Sequence, residues 1–173
     1  DVRANCEAFL AECKAAGLNV LVTETVRDEE YQRSLVTQGY AAKTATVPTF
    51  HSVKAGLAFD ICKNIKGHEY DDAAFFQKCG EIGEKIGFTW GGRWKSFPDR
   101  PHFQWDDNKQ HTGAMIRAGK LPRQMPAYKA ASDLSAYRAK IQAKAGLSDA
   151  TLDYLQDYKY GADLLRKLAA AMG

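Results

Sequence analysis

Few residues of this chain combine a reactive side chain with a distinctive setting. Of its four histidines, His68 lies in KGHEY and His111 in NKQHTG, polar stretches in which an imidazole is ordinarily solvated. His51 and His102 stand differently. Phe50 precedes the first and Phe103 follows the second, each beside a proline-bearing turn. Spacing alone leaves two roles open for them, metal ligand or structural histidine, and structure is the commoner use. Asp99 stands three residues before His102 with Pro101 between them. Proline excludes an ordinary helix interior, so a turn carries Asp99 back toward His102. By residue type Asp99 is either a turn cap or a proton carrier. Arg27 is either a surface partner of Glu29 or Glu30, or a guanidinium held for bidentate contact with a carbonyl or carboxylate. Ser52, beside His51, does not suggest a serine hydrolase, because no nucleophile elbow or acid–base order accompanies it.

The text around these residues is more specific than any one of them. Residues 49–60 read TFHSVKAGLAFD and residues 90–105 read WGGRWKSFPDRPHFQW. Both resemble the zinc peptidases that cut cell-wall peptides, a family of D-alanyl-D-alanine carboxypeptidases and dipeptidases and the L-alanyl-D-glutamate endopeptidases of bacteria and phage, endolysins included. Its signature is Ser-x-His-x-x-Gly-x-Ala-x-Asp, followed by Asp/Glu-x-x-His in a Trp-Gly-Gly…Pro-His-Phe context. Thr49 takes the Ser place, and His51, Gly56, Ala58 and Asp60 take the others; Asp99 and His102 match the second half. Upstream, Arg27, Gln32 and Gln38-Gly39 resemble the family's Arg…Gln…Gln-Gly stretch. The resemblance covers residues 1–120. Two departures stand out. Four residues separate His51 from Gly56 where the family has two, an excess that a bulge or wider loop absorbs. Gln104 stands where many relatives carry an acid.

The resemblance implies a hydrolase with one Zn²⁺ per chain. His51, Asp60 and His102 would be the ligands, with a fourth position left for water. Two neutral imidazoles and one anion leave the centre positively charged, which acidifies such a water towards pH ~7. Asp99 would carry the proton from water to the leaving amine. Arg27 would face the scissile carbonyl or a substrate carboxylate. Gln32, Trp94 and Ser52 are the expected substrate contacts, Trp90 a further wall, and Gly91-Gly92 a place of close backbone approach to substrate. The implied activity is hydrolysis of a peptidoglycan stem-peptide bond, the L-alanyl-D-glutamate bond first. The alternatives are D-alanyl-D-alanine carboxypeptidase action and a non-catalytic zinc domain of the hedgehog type, from which Asp99 as a retained proton acceptor separates this chain.

The elements that must position these residues follow from periodicity. Val2, Cys6, Phe9, Leu10 and Cys13 recur at helical spacing before Gly17. Residues 18–26 (LNVLVTETV) read as a strand, and a helix follows Asp28 to about Gln38. Residues 40–50 have no period and form a loop, and Leu57–Ile61 is a short buried strand. A helix capped by Asp71 or Asp72 runs to about Ile86, with Gly87 as its stop. Residues 88–105 have no helical period and read as an irregular loop or a site. Residues 125–173 contain no Trp, His or Cys but twelve alanines. They suggest a helix near 132–145 and a second from Ser148 to about Met172, with Leu147 and Leu152 as a hydrophobic staple. The expected fold is α+β: helices on a small, mainly antiparallel sheet bearing the zinc site, plus a C-terminal helical hairpin. Residues 1–124 would be the catalytic domain and 125–173 a wall-binding, docking or bracing hairpin.

Composition narrows the partners. The chain has 173 residues, 45% hydrophobic and 26% charged, with net charge +3; that charge is too weak to argue for nucleic acid. No apolar run reaches the ~18 residues of a membrane span. Residues 1–17 lack the basic-then-apolar order of an export signal. Cys6 and Cys13 lie seven apart on one expected helix, about 10.5 Å at 1.5 Å per residue, beyond disulfide reach. Buried thiols in a chain made in a reducing cytoplasm are expected, with peptidoglycan peptides as partners and action at the bacterial cell wall.

Overall fold

The computed structural model describes residues 1–39, 48–129, 134–158 and 161–172. The loop expected over 40–50 lies, up to residue 47, outside them. Helix α1 (Val2–Ala15) opens on Asp1, whose carboxylate accepts from Ala4 N, and α2 (Glu29–Thr37) opens on Asp28 in the same way. Between them runs β1 (Val20–Glu24), and β2 (Ala58–Lys63) follows. Helix α3 (Ala73–Ile86) is capped by Asp72 and stopped by Gly87, which is left-handed at φ 114°. All five elements stand where periodicity and caps place them.

The 88–105 stretch is more regular than expected. It contains β3 (Thr89–Trp90), a 3-10 turn over Gly91–Arg93, and β4 (His102–Gln104). Strands this short carry too few residues for an alternation signal. The short helix α4 (Gly113–Arg117), capped by Thr112, is also additional.

The sheet has the order β1-β2-β4-β3 and is antiparallel throughout. Its two faces are chemically opposite, as alternation of side chains requires. Phe59 pairs with Phe103 across β2 and β4, and their rings stack 5.3 Å apart. Phe9 of α1 meets these two rings at 5.5 and 5.0 Å, and Phe88 meets Phe59 edge-on at 5.0 Å. Phe76 and Cys79 of α3 and Cys13 of α1 complete this core. All four cysteines are free thiols, and Cys13, Cys62 and Cys79 are buried. The neighbouring register pair, Asp60 with His102, faces the other way.

Residues beyond α4 strap onto α1: the Asn5 amide donates to Pro126 O, and Tyr128 N donates to Asn5 Oδ1. Met125 and Tyr128 therefore pack with the first core. A second core gathers Leu134, Ile141, Leu152, Leu165 and Ala169 from three helices, α5 (Ser135–Ala145), α6 (Asp149–Asp157) and α7 (Gly161–Ala171). The staple residues Leu147 and Leu152 share that core, and Ser148 caps α6. The second helix expected over 148–172 is thus divided. Tyr158 is extended (φ −63°, ψ 145°) and its carbonyl accepts from Gly161 N, so the chain turns and α7 packs against both α5 and α6. Among the described residues no helix is long and apolar enough to cross a membrane.

Phe9 is fully buried and touches the two central rings of the sheet, far along the chain from the polar face. Phe9→Ala is expected to lower the unfolding free energy by about 3–5 kcal/mol, read as a shift of the denaturant midpoint at unchanged m-value.

Candidate metal centre

The polar face of the sheet is assembled by register. Asp60 sits opposite Glu24 on one side and His102 on the other, so both side chains leave the sheet on one face within reach of each other. His51 arrives from outside the sheet. Its segment pairs with the chain at Arg27: Arg27 N donates to His51 O at 2.7 Å, and Val53 N donates to Arg27 O at 3.1 Å. The two extra residues before Gly56 are absorbed by a turn. Ala55 N and Gly56 N both donate to Ser52 O, Gly56 is left-handed at φ 59°, and Leu57 N returns to Phe50 O. His51 still points inward.

Three atoms then converge. His51 Nε2 lies 3.3 Å from Asp60 Oδ1, His102 Nδ1 lies 2.9 Å from the same oxygen, and the two ring nitrogens are 3.1 Å apart. His51 and His102 are buried, at 4% and 7% exposure. The His51 Nδ1 faces the Thr25 carbonyl at 2.6 Å. A carbonyl can only accept, so Nδ1 carries the hydrogen and the neutral ring turns its lone pair inward through Nε2. An imidazole lone pair and a carboxylate oxygen therefore face each other with the second imidazole at the third corner. Such a buried arrangement of acceptors is satisfied by a cation. Ligand atoms about 2.0 Å from a tetrahedral zinc stand about 3.3 Å from one another, close to the separations here. The donor set, two imidazoles and a carboxylate, fits zinc.

The other Asp60 oxygen is held by Arg27, whose Nη2 donates to Oδ2 at 2.6 Å. Arg27 also donates from Nη1 to Gln32 Oε1 at 3.2 Å and brings Nε within 3.4 Å of Glu24 Oε2. Burial works to raise the Asp60 carboxyl, but hydrogen bonds and charge from His102 and His51 outweigh it and hold it well below the usual carboxylate range. Burial works to lower His102, yet the hydrogen bonds and charge of Asp60, with Gln104 behind, raise it above its ordinary value.

The remaining expected residues divide. The Trp94 ring lies 5.2 Å from the His102 ring and walls the centre. Trp90 is core: it is 3% exposed, and its Nε1 donates to Arg100 O. Asp99 is half-buried in the turn before β4, where His102 N donates to its carbonyl. Burial raises its carboxyl, opposed first by the His102 charge. Gly91 and Gly92 make room for the protein itself. A Cβ at Gly91 would stand 2.5 Å from Asp99 O and 3.2 Å from the His102 Cβ, and one at Gly92 would enter the Trp90 ring. Gln32 is buried against Arg27, and Ser52 accepts Thr49 N at 2.6 Å. His68, exposed, bonds Asp71, and His111 faces Lys120 O. Sequence reasoning missed Glu24, the Thr25 carbonyl, Thr89 and Asp106. For Asp106 a signal existed, since His102, Gln104 and Asp106 alternate along one face.

Residues 42–105 match the family model described as D-alanyl-D-alanine carboxypeptidase. The peptidoglycan L-alanyl-D-glutamate endopeptidase CwlK of Bacillus subtilis is 30% identical over 121 residues, 62% of this chain and 72% of the relative. The L-alanyl-D-glutamate peptidase of Listeria phage A118 is 30% identical over 110 residues, 61% of this chain. The match spans only 37% of that phage protein's length. A solved structure of the Serratia marcescens L-Ala D-Glu endopeptidase ChiX aligns over 55% of this chain and 72% of that one, at 24% identity and a TM-score of 0.43. The chain belongs to the family of cell-wall peptidases that unites D-alanyl-D-alanine carboxypeptidases with L-alanyl-D-glutamate endopeptidases.

A pH dependence follows for the metal-free protein. His102 is raised from 6.5, so its contribution to stability is present below pH 6.5 and lost as pH rises through the raised value. Asp60 is lowered from 3.8, so its contribution is present above pH 3.8 and lost only in stronger acid. Chelator-treated protein is expected to lose stability as pH rises above 6.5, in a step that His102→Gln removes, read from denaturant midpoints measured at increasing pH.

Proposed function

We propose that the protein is a zinc metallopeptidase that hydrolyses a peptide bond in peptidoglycan stem peptides, the bond between L-alanine and D-glutamate. The observation that carries this reading is the convergence of His51 Nε2, Asp60 Oδ1 and His102 Nδ1 on one point beside Trp94. The names of two relatives supply the bond. His51, Asp60 and His102 would hold the ion. A bound zinc supplies a Lewis acid and brings water to a pKa of about 7.

The chain's own residues do the rest. Asp99, raised by burial, has a basicity shifted toward the working range, which suits a group that takes a proton from water and returns it to the leaving amine. Arg27 has five N–H donors, with two spent on Asp60 and Gln32. It holds Asp60 in place and offers further N–H groups to a substrate carbonyl or carboxylate. Gln32 keeps the guanidinium planar to that task, and Trp94 narrows the cleft and excludes water. Ser52 acts on substrate through the turn that carries His51. Residues 1–124 form the catalytic domain, and the helical unit beyond braces it. With seven basic and five acidic residues in 125–173, that unit carries a mild attraction for anionic wall polymers.

The family model's description favours a second reading, release of terminal D-alanine. Digestion of defined muropeptides followed by mass spectrometry separates the two: a new amino terminus on D-glutamate supports the first, and free D-alanine the second. Asp99→Asn is expected to lower kcat by about 10²–10⁴-fold while zinc content by elemental analysis stays at one per chain. Wild-type turnover in that variant would remove Asp99 from the chemistry, and turnover undiminished by chelator would end the metallopeptidase reading.

A further inference from the structure

Behind His102 the polar face continues in a buried line that the proposed chemistry does not use. His102 Nε2 lies 3.0 Å from Gln104 Oε1, and Gln104 Nε2 donates to Asp106 Oδ2 at 3.0 Å. The other Asp106 oxygen accepts Thr89 Oγ1 at 2.7 Å and Lys109 N at 2.8 Å. Thr89, His102, Gln104 and Asp106 are all at most 8% exposed. The Lys109 contact depends on an unusual backbone. Asp107, Asn108 and Lys109 are successive non-glycine residues at φ 49°, 61° and 67°, a run of left-handed conformations that L-residues seldom adopt. That run folds the Lys109 N–H back onto Asp106.

We infer that Asp106 and Gln104 are positioning residues that set the tautomer of His102 and so make its Nδ1 the metal-binding atom. A carboxylate can only accept. Asp106 therefore compels Gln104 to present its NH₂ backward and its carbonyl forward. That carbonyl in turn can only accept, so His102 must carry its hydrogen on Nε2. A ring that binds an ion is then left with its lone pair on Nδ1, toward Asp60 and His51; without the ion, Asp60 can accept a second hydrogen from Nδ1. His51 reaches the same result in one step, through the Thr25 carbonyl. His102 needs two steps because its partner is an amide, which presents either a donor or an acceptor until something behind it decides. The chain carries Gln104 where an acid would need no such direction, and Asp106 is the group that supplies it.

This inference rests on the zinc reading, and the experiment keeps the two apart. Zinc affinity is measured by chelator competition, and the hydrogen bond that His102 Nε2 donates to Gln104 by ¹⁵N NMR of the zinc-loaded protein. In Asp106→Asn, Thr89 and Lys109 retain their acceptor, but an NH₂ now faces the NH₂ of Gln104. Gln104 flips, and His102 must protonate Nδ1 instead. Zinc affinity is expected to fall 10–100-fold, and in the zinc-loaded protein the Nε2–H signal shifts as it loses its acceptor. The double variant Gln104→Glu/Asp106→Asn puts an acceptor between two donors and should restore affinity to within a few-fold of wild type. In a Gln104→Met background, Asp106→Asn should cause no further loss, because nothing remains to transmit it. This background decides the matter even where Asp106→Asn alone folds poorly. Unchanged affinity and an unchanged Nε2–H signal in Asp106→Asn, no rescue in the double variant, or an undiminished effect in the Gln104→Met background would each overturn the relay. Failure of the wild type itself to bind zinc would overturn the metal reading beneath it.

Discussion

Two imidazoles and a carboxylate held within 3.3 Å of one another in a buried place form an arrangement that the rest of the domain has to enforce. Left to itself, each group would turn away or take a proton, since facing acceptors repel in a medium of low polarity. Each is instead gripped from behind. The Thr25 carbonyl holds His51, Arg27 holds Asp60, and Gln104 with Asp106 holds His102. Such backing partners set orientation and basicity in metal sites and matter nearly as much as the ligands. Without a metal ion a proton on His102 can bridge the cluster to Asp60, and a bound cation would take that proton's place.

The grip depends in turn on a rigid platform. Phe59 and Phe103 alternate with Asp60 and His102 along β2 and β4, so one register serves two purposes. The stacked rings lock the strands against α1 and α3 on one face, and the same hydrogen-bonded ladder places Asp60 and His102 opposite each other on the other. A slip of one residue would exchange the faces, burying a carboxylate among aromatic rings. The aromatic core is therefore also what determines the distance between Asp60 and His102.

How much of this was legible before the structure can be argued residue by residue. Helix caps at Asp28 and Asp72, the glycine stop at Gly87 and the β-branched run of β1 are local signals, and local chemistry decided them. The convergence of His51, Asp60 and His102 was legible through motif order, although four residues rather than two follow His51. The strands β3 and β4 were not legible, because two or three residues hold no period. Their existence depends on pairing with β2, which is remote in sequence. The Gly91-Gly92 pair was expected to admit substrate, but it admits the Asp99–His102 turn and the Trp90 ring. A glycine signals close approach without saying of what. The break at Tyr158 was equally hidden: it answers to packing of α7 on α5 and α6, which no pattern within 148–172 encodes.

The Asp60 and Asp99 carboxyls are driven in opposite directions, and the contrast is physical. Both lose solvation, which favours the neutral acid. For Asp60 that loss is outweighed by two imidazoles at hydrogen-bonding distance, with the Arg27 guanidinium on its other oxygen, so the group is driven toward the anion. For Asp99 the nearby charges partly cancel, His102, His51 and Arg27 against Asp60, and burial prevails. A ligand must keep its charge, whereas a proton carrier must be able to gain and lose one near the working pH. Environments that push two acids apart assign them to those separate tasks. Asp99, held in its turn by the side-chain-free Gly91, has the environment that the proposed carrier needs, and Asp60 that of the proposed ligand.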